Sequence, residues 1–307
     1  MYDADAPWTV RRSSFRRELY GSRTTCFFYR HHDTFIVIDH GLGVETVSDY
    51  ILAMLAGESD RTHVIHCIQT HYHEDHLAGL RASSLLFAKN LVLRFYSPEL
   101  SAYREEDGDG CDDTVMEQVL EATFQERFWP VTLPMLDSIG ARREHLSYRP
   151  GETIKIGDVR VHTIPLSHPG GCSGLRLETS GSGAIVIATD YEPPEKPEAE
   201  VVEFFSRSKL LIADMQYRDE EYTGERSIGG VAMSRVGWGH GTPDRILPAI
   251  LACSQRPERV LISHHDPKRS DMELRMYFEE SLDRLESLSG RVPFAYEFAH
   301  DGDVFGV

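Results

Sequence analysis

Eight short runs rich in β-branched and aromatic residues punctuate the chain: "FIVID" (35–39), "HVIHCIQT" (63–70), "LVLRFY" (91–96), "VRVHTIPL" (159–166), "GLRLET" (174–179), "AIVIATD" (184–190), "LLIAD" (210–214) and "RVLISH" (259–264). Each is short for a helix, and most are apolar enough to be covered on both faces, which predicts buried strands. Helical patterns fill 45–56, 113–128, 199–207, 243–254 and 271–288. Strands and helices interleaved in this way predict an α/β fold, and 307 residues suit a single domain spanning 1–307. Ser270 with Glu273 predicts a capping box on the last helix. Thr242 before Pro243 predicts an N-cap with proline at the first helical position.

The second of these runs leads straight into "HYHEDH", residues 71–76. His71, His73, Asp75 and His76 are costly to place behind a buried strand unless something binds them. Imidazole nitrogen and carboxylate oxygen are the donors that a borderline cation such as Zn²⁺ accepts. His71 and His73, two apart in extended chain, can face one ion. Asp75 and His76, on the strand-to-helix turn that follows, can face a second. Further ligands belong at the ends of other strands, and three candidates sit there: His168, Asp190 and His264.

Charge narrows the partners. The formal net charge is −17, which opposes adsorption to nucleic acid or anionic lipid, and no apolar run approaches the roughly 20 residues of a membrane span. The paired arginines of "TVRRSSFRREL" lack the apolar segment that an export signal needs. Five scattered cysteines form no CxxC pair and read as reduced thiols, so a cytoplasmic location is expected. An acidic insert is expected at about 97–145, with "EEDGDGCDD" as a solvated surface loop leading into a helix.

The motifs "IDHGLG" with Asp39, "THYHEDH", "SHPGG" with His168, "ATD" with Asp190 and "LISHHDP" with His264 resemble the five successive motifs of the metallo-β-lactamase superfamily, in the same order. The resemblance implies a four-layered αβ/βα sandwich with two mixed β-sheets and two metal ions at one edge. It implies that His71, His73 and His168 bind one metal, that Asp75, His76 and His264 bind the other, that Asp190 bridges them, and that Asp39 orients a ligand imidazole. One departure is His40, where the superfamily commonly has a small residue; it is read as an extra polar contact near the metals. "RTTCFFYR" and "FWPVTL" resemble segments of phosphodiesterase-like members. "GWGHGTP" with His240 and "LIADMQY" with Asp214 resemble elements of the cyclic-nucleotide phosphodiesterase and tRNase Z-like branch.

The resemblance implies a dinuclear metal-dependent hydrolase, with zinc as the first expectation and manganese or iron as alternatives. Two cations about 3.5–4 Å apart would bridge a hydroxide as nucleophile, with Asp75, His240 and Asp214 as catalytic residues and His240 as general acid. A small phosphodiester, including a cyclic nucleotide, is the expected substrate, and a homodimer is an allowed assembly. A tRNase Z-like endoribonuclease is disfavoured by the acidic charge. A thioester or lactone hydrolase of the same fold, or a non-catalytic metal-binding sensor, would carry the same donors. Arg218, Arg235, Lys268 and Arg269 flank the motifs and read as surface charges, with phosphate contact as the alternative.

Overall fold

The strand β2 (Thr34–Ile38) sends Phe35 and Val37 to one side and Ile36 and Ile38 to the other, all four buried. A strand presents alternate residues to opposite faces, so its sheet is covered on both. The computed structural model describes residues 20–21, 23–58, 60–103, 114–227, 232–266, 269–290 and 294–306. The paired arginines of the N-terminal stretch, Cys111, Lys268 and the "EEDGDGCDD" run lie outside the described residues.

The first sheet has the order β1 (Phe27–His31), β2, β3 (His63–Ile68), β4 (Leu91–Pro98), β5 (Arg142–Tyr148). It is parallel from β2 to β5 and antiparallel at β1–β2. The second sheet runs β12 (Ala295–Phe298), β11 (Arg259–Ser263), β10 (Ser208–Asp214), β9 (Ala184–Ala188), β8 (Cys172–Glu178), β7 (Val159–Leu166), β6 (Thr153–Ile156). Strands β9 to β12 are parallel, whereas β6 to β9 form an antiparallel meander. The eight strands expected from sequence are all present. Strands β1, β5, β6 and β12 complete the sheets.

Three apolar layers follow from the alternation. Phe35, Val37, Ile65, Cys67 and Leu93 pack against α1 (Val44–Leu55), α2 (Val115–Thr123) and α3 (Leu133–Ile139). Ile36, Ile38 and Ile68 meet Val161, Leu175, Ile187 and Ile212 between the sheets. Val186, Leu211, Val260 and Ile262 pack under α4 (Ala199–Phe205), α6 (Pro243–Ala252) and α7 (Asp271–Ser289). Each such buried aliphatic side chain contributes about 1.5–3 kcal/mol. Helix, sheet, sheet, helix is the expected four-layered sandwich.

Two local expectations need correction. The chain after β3 enters no α-helix but three short 3-10 turns, Glu74–His76, Leu80–Ala82 and Ser84–Phe87. A Cβ at Gly79 would lie 2.1 Å from the Gly41 carbonyl oxygen, so this segment is pressed onto the loop after β2. Segment 97–145 is more than a surface insert, because Met116, Leu120 and Leu136 of α2 and α3 are buried in the outer layer. Thr242 is the N-cap of α6 with Pro243 at its first position, as expected, and its hydroxyl donates to Asp219 rather than to the helix. The capping box of Ser270 and Glu273 is present as expected.

Candidate metal centre

The polar groups converge where strands of both sheets end. His71 follows β3, His168 follows β7, Asp190 follows β9, Asp214 ends β10 and His264 follows β11. In open α/β sheets, the carboxyl ends of the strands are where ligands bind. Three residues there, Asp39, Asp190 and His264, have left-handed backbone at φ of 60°, 58° and 59°. An L-residue pays about 1–2 kcal/mol for that conformation, and such strain concentrates at functional sites. The two sheets are joined at this edge by the Ser173 amide, which donates to the Thr70 carbonyl at 3.1 Å.

Two groups of donors face one another. His71, His73 and His168 form one, and Asp75, His76, Asp190 and His264 form the other, with donor atoms inside each group within 4.8 Å. Asp190 reaches both groups. One oxygen lies 3.8 Å from His71 Nε2, 3.9 Å from His168 Nε2 and 3.2 Å from His264 Nε2; its other oxygen lies 3.1 Å from His76 Nε2. Asp75 Oδ2 stands 3.0 Å from His264 Nε2 and 3.5 Å from His76 Nε2.

Three imidazoles are held from behind by acceptors. His76 Nδ1 is 2.8 Å from Asp39 Oδ2, and His168 Nδ1 is 2.9 Å from the Gly239 carbonyl. The Thr70 hydroxyl donates to Asp39 and lies 3.2 Å from His71 Nδ1, so it accepts from that ring. Gln216 Nε2, a donor, lies 3.2 Å from Nδ1 of His264 and so does not hold that ring through an Nδ1–H. Fixing the far nitrogen selects the tautomer and aims the near one into the site. The near atoms fit a cation, since His71 Nε2 is buried without a hydrogen-bond partner and His76 Nε2 and Asp190 Oδ2 have only each other, at 3.1 Å. Such orphans are rare in a folded chain unless a ligand completes them.

The groups differ electrostatically. Burial pulls His71, His73 and His168 below the ordinary histidine range, favouring the neutral ring that a metal requires. Burial also opposes charge on His76 and His264, but carboxylates outweigh it. Asp190 and Asp39 hold His76 well above its usual value, and Asp190 with Asp75 pushes His264 up to about 9. Burial likewise disfavours the Asp75 and Asp190 anions, and the facing imidazoles reverse that preference.

Beside this cluster, His240 Nδ1 lies 2.7 Å from Asp214 Oδ2, and the His240 ring stacks on His264 at 4.8 Å. Asp214 is buried and accepts the Gln216 amide at 2.9 Å. His240 and Asp214, named together from the branch resemblance, are thus paired. The remaining polar residues near the motifs have partners of their own. The buried His40 ring lies 3.2 Å from Gln69 and packs on Phe95, while its backbone amide donates to the His76 carbonyl at 2.8 Å. His265 turns to the Ala299 carbonyl at 3.0 Å. Arg218 is engaged by Glu280 and Glu221, Arg269 by Glu221, and Arg235 by the Glu221 and Met233 carbonyls.

Sequence reasoning missed Glu192. Its carboxylate accepts the Gly237 and Gly239 amides, both at 2.7 Å, and the Tyr222 hydroxyl at 2.5 Å, which moors the loop carrying His240. Only its position two residues after Asp190 could have drawn notice.

No protein-family model and no curated protein matches the sequence. Among solved structures, the chain is similar to the metallo-β-lactamase fold protein YhfI from Bacillus subtilis, at 15% identity and TM-score 0.55, covering 94% of this chain and 96% of that one. It is similar to Zn²⁺-bound PqqB from Methylobacterium extorquens, at 11% identity and TM-score 0.55 over 92% and 86%. A diphosphatase from the PhnP family aligns at 15% identity and TM-score 0.50 over 91% and 82%. The chain has the metallo-β-lactamase fold. At one edge of its sheets, histidines and aspartates form two adjoining groups suited to a dinuclear metal site.

Proposed function

We propose that this protein is a dinuclear metal-dependent hydrolase of small phosphodiesters, with nucleotides, cyclic ones included, as the substrate class. The observation that carries the reading is the set of three imidazoles fixed from behind, those of His71, His76 and His168, which converge with His73, Asp75, Asp190 and His264 where His71 Nε2 is left without a partner. His71, His73 and His168 would hold one cation, Asp75, His76 and His264 the other, and Asp190 both. Zinc suits these donors best, with manganese and iron as alternatives. Bound there, two divalent cations would supply Lewis acidity that brings the pKa of water down to about 7 and neutralises charge on a phosphoryl group.

The protein's own residues supply the rest. Asp39 and Thr70 set the tautomers of His76 and His71. Asp214 engages Nδ1 of His240, leaving Nε2 to deliver a proton to the departing alkoxide. That His240–Asp214 pair supports a phosphorus centre over a thioester or lactone. The fold alone selects no chemistry, and the net charge of −17 disfavours a long RNA substrate.

The test is hydrolysis of bis-p-nitrophenyl phosphate beside a thioester and a lactone. Phosphodiester turnover should be lost with chelator, regained with zinc or manganese, and abolished in Asp75→Ala while the circular dichroism stays native. Faster turnover of the thioester or lactone would reassign the substrate, and no turnover of any would leave a metal-binding sensor.

A further inference from the structure

Trp238 stands at the edge of the site with 46% of its surface exposed, on a turn that is anything but loose. The amides on both sides of it, Gly237 and Gly239, donate to the single carboxylate of Glu192 at 2.7 Å, and its own amide donates to the Arg235 carbonyl at 3.0 Å. Both glycines have left-handed backbone, at φ of 83° and 92°, which a side chain would resist. This construction fixes the backbone that presents an indole to water, where the ring adds little to the core.

The turn that carries the indole adjoins the donor groups. The Gly239 carbonyl holds His168, and His240 is the next residue. Behind the indole, the Arg235 guanidinium lies 5.7 Å from its ring and 5.4 Å from the Tyr217 ring, and Tyr217 meets the His240 ring edge-on at 5.9 Å. Trp238, Arg235, Tyr217 and His240 thus form one series of contacts, from an exposed indole to the imidazole beside the donors.

We propose that Trp238 is the platform on which the planar base of a nucleotide substrate stacks, placing its phosphate at the donors. The proposal rests on the phosphodiesterase reading for the identity of that phosphate. An indole face accepts any base by stacking and reads none by hydrogen bonds, so the preference is for nucleotides as a class.

The test measures binding of adenosine 5′-monophosphate and of ribose 5-phosphate, which has the same sugar phosphate without a base, to the metal-loaded full chain. Wild type should bind the nucleotide about tenfold or more tightly than ribose 5-phosphate. Trp238→Ala should bring that ratio near one, and Trp238→Phe should keep most of it. A ratio near one in wild type, a ratio unchanged in Trp238→Ala, or no nucleotide binding overturns the proposal. Turnover of bis-p-nitrophenyl phosphate by wild type judges the phosphodiesterase reading separately: without it, an intact ratio leaves the stacking platform and removes the reaction.

Discussion

His168 Nδ1 lies 2.9 Å from the carbonyl oxygen of Gly239, a residue 71 positions further along the chain. Through this contact the loop that carries His240 also orients a metal-donor candidate. A Cβ at Gly239 would fall 2.0 Å from His168 Nδ1 and 2.5 Å from Pro169 Cδ, whereas one at Gly237 would meet nothing within 4 Å.

Those two glycines therefore give a paired prediction. Gly239→Ala should push His168 out of line and lower metal affinity or turnover by about 10- to 100-fold, the usual effect of disturbing the support of a ligand. Gly237→Ala should cost only left-handed strain, about 1 kcal/mol of stability. Metal titration and thermal denaturation of both variants check this, and equal metal affinities would contradict it.

His240 should act in proportion to the leaving group's need for a proton. His240→Ala should retain its metals and lose about 10²- to 10⁴-fold in turnover of a nucleotide that releases a sugar alkoxide. Bis-p-nitrophenyl phosphate, which releases a stable phenolate, should be nearly spared. Equal losses on both substrates would make His240 a binding or loop-supporting residue.

A pH effect should arise away from the site. Burial, and then the neighbouring Asp244, push the Asp219 carboxyl up to about 7, with Arg284 opposing in part. An unfolded aspartate titrates near about 3.9, so between these values the native state binds the additional proton. Its contribution is full below about pH 4 and is lost as pH rises through 7. Asp219→Asn removes this liability, so the Tm of the variant minus that of wild type should grow from pH 5 to pH 8. A constant difference would contradict the assignment.

The seven donor candidates were legible because each is a histidine or aspartate at or just beyond the end of an apolar run, where strand geometry fixes where it falls. Supporting contacts were less visible. The Gly239 carbonyl is a backbone atom, and Glu192 acts through a loop some 45 positions away. The arginines near the motifs looked available for phosphate because sequence does not reveal that Glu221 and Glu280 already hold two of them. Strand β5 escaped notice because "RREHLSY" carries charge on an edge strand, and β6 and β12 are only four residues each. The turn after β3 was read as entering a helix because its packing onto Gly41 is a tertiary constraint.

The account rests on two donor groups sharing Asp190, and the metal content of the chain tests that directly. Elemental analysis of protein purified without chelator should find close to two divalent cations per chain. A value near one, or none in a natively folded sample, would contradict the dinuclear centre.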